Sequence, residues 1–580
     1  MAHITWNEKN TGEKAQFVCD ILKESLFDYA SDSNKIPTLN LHYFCLDYIS
    51  TYLLIEDGTM NIGNIQPLNE EFEYIVNTSL WIPNCISSSI FLFLDSMGKA
   101  RNISKEKNID LKKRSEYYYE CVRFIKGMLE SDDNYISKLL NEIHQTLYCK
   151  QFTINERHIL YFCVREYICE LINIGISKSH LYNQVQKKLF SKFTPEDDLQ
   201  YVEQFLNSLI PEEQNYDIVF GVSEDVYNEL STIIKGFREA TEDESKKLNS
   251  KYVMETSLDS KDPVSALSYA KKLLLSILSV YNSCIHNENM DIIENGLVKI
   301  NDGSNSDTKY TFIKDSKKTL AKTRNKDKDS REKWLIEAVK RNIDNRVIGS
   351  FELHNNAINM SDCRTQLLTL WTIFEILIET KQKDMSRINY ITNVLVSMLC
   401  NIYYKGIIES IYYQIKNTKY IKTTIEKETR GDNRAEKLAF ILKDNTNLKN
   451  KILKLIDSYP LEKYRIERLS EIFSSASKMK LDFLRHANRV RWQIMRIYRN
   501  RCMIVHSGEY FPYIELILEN LHYYVDEIYN YIFDKADLGI NEIEVIFSLA
   551  RINYQQNMEL LSVKDKVLSD DEFVKIIFHS

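Results

Sequence analysis

No proline occurs between Pro263 and Pro460, and the whole chain of 580 residues holds only 8 prolines and 15 glycines. Proline removes a backbone donor that a helix interior needs, and glycine carries the largest entropic cost there. A chain this poor in both can run long helices without interruption, so the expected fold class is mainly α. The length exceeds what one core ordinarily holds, and several domains are expected. With 44% hydrophobic and 27% charged residues the composition is that of a globular protein, not a disordered one.

Apolar positions recurring at three and four over residues 15–29, 113–129 and 135–147 predict amphipathic helices and mark 1–212 as a helical N-terminal region, read as a sensor or regulatory part because it carries no motif with chemical content. The texture changes over 213–315. Short β-rich runs at 216–222, 251–258, 296–300 and 309–313 alternate with helical stretches, which predicts a small α+β module. Asn301-Asp302-Gly303 supplies turn chemistry for a hairpin between the last two runs. A charged linker follows over 316–333, read as an exposed connector or a loop touching RNA. Helical periodicity resumes at Trp334 and defines a C-terminal domain over 334–540. A tail over 541–580 carries two short predicted helices, at 540–551 and 571–578.

Several function classes find no support. The net charge of −7 argues against a general nucleic-acid coat protein. Eleven cysteines occur without a CxxC pair, and the approaches of Cys163 to Cys169 and of Cys284 to His286 do not build a four-ligand zinc site. Buried free thiols in a reducing cytoplasm are expected, with no metal and no cofactor. There is no GxxxxGK[ST] or HExxH motif. The apolar stretch 86–94 is too short to span a bilayer and the N-terminus lacks a basic region followed by an apolar one, so no membrane partner is expected.

The charge is unevenly spread. From Lys416 to Arg501 the sequence places 22 Lys and Arg against 10 Asp and Glu. Such a run suits a phosphate-bearing partner and equally a solvated helical surface. It ends in Tyr498-Arg499-Asn500-Arg501-Cys502-Met503-Ile504-Val505-His506-Ser507-Gly508, where an arginine precedes a histidine by five positions. A helix is expected over 485–505, stopped by Gly508 in the left-handed conformation. On it Arg499, Cys502 and His506 share one stripe, whereas Arg501 lies about 140° round from His506. Either the helix end is distorted, or two copies pair so that two Arg-His sets line one cleft. Histidine exchanges a proton near neutral pH, and arginine offers a rigid fork of donors to a phosphate. These are tools for cleaving RNA through its 2′-hydroxyl.

Two blocks carry a wider likeness: the run just quoted, and Glu352-Leu353-His354-Asn355-Asn356-Ala357 leading into Gln366-Leu367-Leu368-Thr369-Leu370-Trp371-Thr372-Ile373-Phe374-Glu375. Over roughly 335–540 the sequence resembles the HEPN superfamily (higher eukaryotes and prokaryotes nucleotide-binding), whose helical ribonucleases carry an R-x4-6-H motif, and within it the Apea-like branch of bacterial antiphage proteins. The resemblance implies a C-terminal antiparallel helical bundle, a homodimer or higher homo-oligomer, RNA (tRNA or mRNA) as substrate, a phage-derived trigger and metal-independent endoribonuclease cleavage leaving a 2′,3′-cyclic phosphate. It implies that Arg501 holds the scissile phosphate and His506 shuttles the proton.

Arg499 and Arg496 are candidate further phosphate contacts, or snorkel over apolar surface. Glu375 is expected to pair with one of these arginines, as an orienting partner or a purely structural one. Tyr498, with Tyr412, Tyr413 and Tyr420, either stacks on bases or packs in the core. One departure stands out: the family commonly places Asn, Asp or His directly after the arginine, and Cys502 is there instead. Asn500 falls one position early and faces elsewhere. The alternative reading is a non-catalytic HEPN dimerisation or RNA-binding module that partners another effector.

Overall fold

A computed structural model describes residues 12–27, 39–78, 110–131, 135–190, 198–210, 212–285, 292–301, 310–313, 344–360, 362–379, 385–563 and 567–578. The stretch 86–94, the linker 316–333, Trp334 and the turn residues Asp302 and Gly303 lie outside them. The chain forms two compact units: Ile168–Lys318, and Met1–Tyr167 together with Thr319–Ser580. The protein is mainly helical with one small antiparallel sheet.

The N-terminal helices are α1 (Glu13–Leu26), α2 (Leu41–Glu56), α3 (Gln66–Thr78), α4 (Leu111–Leu129), α5 (Tyr135–Leu147) and α6 (Ile154–Asn173). Local chemistry sets their ends. The Asn40 side chain caps α2 by accepting from the Tyr43 N–H at 2.9 Å, satisfying one of the donors a helix start leaves open.

The smaller unit contains α7 (Lys178–Val185), α8 (Asp198–Asn207), β1 (Gln214–Val222), α9 (Glu224–Leu230), β2 (Phe237–Glu239), α10 (Glu242–Leu248), β3 (Tyr252–Ser260), α11 (Pro263–Ile285), β4 (Ile292–Ile300) and β5 (Thr311–Ile313). The sheet order is β2-β3-β1-β4-β5, and every pairing is antiparallel. Central β1 is covered on both faces. Ile218, Phe220 and Val222 pack with Ala266, Leu267 and Leu274 of α11, while Val219 packs with Leu248, Val253 and Leu297. Gly296 admits α11 this closely, since a Cβ there would lie 2.3 Å from Leu267 Cδ1. The outward side of α11 leaves Tyr269, Leu273, Ile277 and Val280 exposed at helical spacing.

The composition places the α+β module at 213–315, yet the compact unit begins at Ile168. Buried Asp262 supplies a reason: its carboxylate accepts from the Ser177 N–H at 2.9 Å and from the Ser265 N–H at 3.0 Å, tying the segment before α7 to the start of α11. The predicted strands are all present, with β4 starting earlier, at Ile292. The three-residue edge strand β2 is an addition.

The C-terminal helices are α12 (Asn345–Asn359), α13 (Cys363–Leu377), α14 (Arg387–Asn401), α15 (Tyr403–Ile415), α16 (Ile421–Ile425), α17 (Arg434–Lys443), α18 (Thr446–Leu455), α19 (Pro460–Phe473), α20 (Ala476–Ser507), α21 (Ile514–Ala536), α22 (Ile543–Ser562) and α23 (Asp570–Phe578). Their apolar faces share one core, in which α14 packs on α20 and α22, and α13 on α21. Residues 541–580 are not a detached tail, because Ile546, Phe547, Ala550, Phe573 and Ile576 are buried in that core. Two stretches, Pro263–Tyr281 and Arg387–Ile415, have the length and apolarity of a membrane span, and two thirds of the second is buried in the protein.

The N-terminal helices are part of the same unit. α1 packs on α19 and α3 on α20. Arg157 of α6 joins Glu13 at 2.7 Å and Glu467 at 2.8 Å.

Candidate active site

The helix that carries the motif, α20, spans 32 residues and begins nine positions before the expected 485. Ser475 explains the early start: its side chain accepts from the Lys478 N–H, and no proline or glycine follows until Gly508. The end is as expected. Gly508 has φ +72° and its N–H returns to the Ile504 carbonyl at 3.1 Å, a left-handed cap that glycine adopts without strain.

The helix buries Met479, Phe483, Ala487, Val490, Ile494 and Ile497, at spacings of three and four. It also buries two arginines. Arg499 is 1% exposed and donates to Asp47 Oδ2 at 2.7 Å. Arg496 is 3% exposed, donates to the same oxygen at 3.1 Å, and to Glu71 Oε2 at 2.7 Å. Burial pushes the Asp47 carboxyl up, but the Arg499 and Arg496 charges outweigh it and hold Asp47 below the usual carboxylate range. For Glu71 burial prevails over Arg496 and its pKa is raised. The sequence offered both arginines either to phosphate or to snorkelling over apolar surface, and neither is found. In this structure their guanidiniums are enclosed and committed to carboxylates of α2 and α3.

Asn500 is fully buried and serves as a latch. Its Nδ2 donates to the Arg496 carbonyl at 3.0 Å, and its Oδ1 accepts from the Phe511 N–H at 3.1 Å, folding the segment after Gly508 back against the helix.

Arg501 and His506 lie nearer the surface. Arg501 is 29% exposed, with Nη2 at 3.8 Å from Glu375 Oε1. Glu375 is fixed in turn by the indole N–H of Trp371 at 3.0 Å. The expected pairing of Glu375 with Arg499 or Arg496 is not what the structure has: its partner is Arg501, because the other two point to α2 and α3. Tyr498 packs its ring on Trp371 at 5.6 Å and bonds Cys502 through its hydroxyl, so it belongs to the packing of α13 on α20. Burial raises the Cys502 thiol, which also contacts Arg501. Cys502 therefore sits against Tyr498 and Arg501.

His506 is exposed in the last turn of α20, and among the described residues it has no hydrogen-bond partner. No bond joins it to Arg501 within one chain, in keeping with their angular separation. Sequence reasoning missed Arg364, which lies over the Tyr510 ring at 5.9 Å and is half exposed. Tyr510 is four positions beyond His506, and Arg364 is also paired with Asp362 at 3.1 Å. No local signal marks Arg364; the fold brings it there from the start of α13.

Fold and site together define a mainly helical protein whose longest C-terminal helix ends in an exposed histidine. No family model matches the chain, and no curated protein or solved structure matches it either.

Proposed function

We propose that this protein is a metal-independent endoribonuclease of HEPN type that acts in the cytoplasm as an effector of bacterial antiphage, abortive-infection defence. The observation that carries the reading is a contrast along one helix. Of four residues offered by the motif and its flank, Arg496 and Arg499 are locked inside, while Arg501 and His506 remain accessible to a ligand.

In this reading the RNA 2′-oxygen attacks the neighbouring phosphorus, a histidine takes the 2′ proton, and the 5′-oxygen leaves with a proton from a second acid. Arg501 stabilises the charge on the phosphorane. One chain offers one such histidine, so the active unit is a pair of copies, each contributing Arg501 and His506. The grip of Asp47 and Glu71 on α20 supports a regulatory part for the N-terminal helices, released by a phage-derived trigger. The defence role itself rests on the family resemblance.

A second reading, a non-catalytic HEPN dimerisation or RNA-binding module, is favoured by the engagement of Arg501 with Glu375 and by Cys502 in place of a polar orienting residue. The test is incubation of wild type and His506→Ala with tRNA and total bacterial RNA in EDTA, with and without phage-infected lysate. Cyclic-phosphate 3′ ends from wild type alone support the nuclease. Identical RNA profiles in both conditions support the binding module.

A further inference from the structure

Away from the Arg501-His506 surface, a cavity of about 190 Å³ opens between α6, α15, α19 and α20. Five arginines line it against two carboxylates, Glu166 and Asp482, an unusual excess in a chain of net charge −7. The five are not equivalent. Arg465 is committed to Glu24 and Glu462, each at 2.7 Å. Arg165 bonds the Tyr161 hydroxyl and lies over that ring. Among the described residues, however, Arg468, Arg485 and Arg489 have no carboxylate within 4.0 Å. Arg485 donates its Nε to Tyr74 at 3.0 Å, and Arg489 Nε is buried with no acceptor among the described residues.

Withdrawing guanidinium groups from water without a counter-ion is unfavourable, and buried charges are ordinarily paired. The carboxylates at hand supply the pairing only in part: Asp482 acts on Arg468 from beyond ion-pair distance. Glu166 accepts from Tyr135 and from the Leu41 N–H, and Asp482, beside Tyr403 and Tyr404, has its Oδ2 buried without a hydrogen-bond partner among the described residues. The field of the arginines acts on its neighbours. Tyr161 is held below the usual tyrosine range although burial works the other way, because Arg165, Arg465 and Arg468 surround it. His158 is pushed down to about 4, by burial and then by Arg468 and Arg485, so it adds no charge at neutral pH.

We propose that this cavity binds a phosphate-bearing small molecule, with Arg468, Arg485 and Arg489 as its anion ligands and Tyr161, Tyr403 and His158 along the walls. Arginine forks match phosphate oxygens in bidentate geometry, and aromatic walls suit a planar organic group beside the phosphate. The volume is in the range that takes a single ring or one phosphate group, so the remainder of a nucleotide would extend toward the mouth. Arg489 precedes His506 on α20 by 17 positions, roughly 26 Å along a helix, so this is a separate site and the proposal stands apart from the nuclease reading.

Calorimetric titration of the full chain at low salt, in EDTA, with inorganic phosphate, 5′-AMP, ATP and adenosine tests it. Saturable binding of a phosphate ligand at one per chain is expected, with none for adenosine. Tight inorganic phosphate with no gain from AMP or ATP identifies a free-anion site, and tighter AMP or ATP identifies a nucleotide site. Arg489→Gln with Arg485→Gln should weaken binding by about tenfold or more, while the melting temperature of the unliganded variant stays near wild type because neither half-buried guanidinium has a carboxylate partner among the described residues. His506→Ala should bind as wild type, which separates this site from the nuclease surface. Absence of saturable binding by all three phosphate probes, or binding unchanged in the double variant, overturns the assignment.

Discussion

Asp47 Oδ2 accepts a 2.7 Å hydrogen bond from Arg499 across 452 positions of sequence, fastening the N-terminal helix α2 to the helix that carries the Arg-His motif. Arg496 shares the same oxygen. Removing one partner of a buried pair leaves an uncompensated charge, which costs about 3–5 kcal/mol. Asp47→Ala is therefore expected to destabilise the larger unit by that order in urea unfolding. Asp47→Leu combined with Arg499→Met should recover much of the loss. Additive single and double effects would show that the two residues are not coupled.

Arg499 and Arg501 stand two positions apart and should respond in opposite ways. Arg501→Ala removes a 3.8 Å, partly exposed ion pair worth at most about 1 kcal/mol, so its melting temperature should stay near wild type. If the nuclease reading holds, its RNA cleavage falls by a factor on the order of 10² or more. Arg499→Ala should lower melting temperature and activity together. A stable, fully active Arg501→Ala removes Arg501 from the catalytic assignment.

The Asn500 latch predicts a local effect. Asn500→Ala strands the Phe511 N–H, at a cost of about 1–3 kcal/mol, while the Arg496 carbonyl keeps its bond in the helix ladder. Hydrogen exchange should accelerate at Phe511 and its neighbours before it does in α13 or α14. Unchanged exchange there would mean that the segment after Gly508 is held by packing of Phe511 and Tyr513 alone.

What was legible in the sequence was local. Scarcity of proline and glycine predicted a mainly helical chain, Ser507-Gly508 predicted where α20 stops, and alternating β-rich runs predicted β1, β3, β4 and β5. Each signal lies within a few residues of the feature it predicts. The fate of Arg496 and Arg499 was not legible, because their partners Asp47 and Glu71 sit more than four hundred positions away and carry no mark that they meet α20. A basic run looks the same whether its cations face solvent or buried carboxylates. The edge strand β2 is too short for a periodic signal, and 541–580 reads as a tail because burial against α14 and α20 is a property of the partners. The arginine-lined cavity draws its walls from four separated helices, so no single window of sequence contains it.

Two buried groups of the larger unit predict opposing pH dependences. His158 has its pKa pushed from 6.5 to about 4 by burial, helped by Arg468 and Arg485. Between those values the unfolded chain takes up a proton that the folded chain refuses, so this contribution to stability is full above pH 6.5 and is lost as pH falls toward 4. Glu462 is raised from 4.5 to about 7 by burial, with Glu24 adding to the rise and Arg465 opposing it. Arg465 is also claimed by Glu24 at 2.7 Å, so burial prevails. Between 4.5 and 7 the folded chain keeps a proton that the unfolded chain has released, and stability falls as pH rises. The two effects run in opposite directions over most of the same window and oppose one another in wild type. His158→Gln should therefore make the melting temperature higher at pH 5 than at pH 7, and Glu462→Gln should make it higher at pH 7 than at pH 5. Both variants running parallel to wild type from pH 4.5 to 7 would show that neither group titrates as its surroundings dictate.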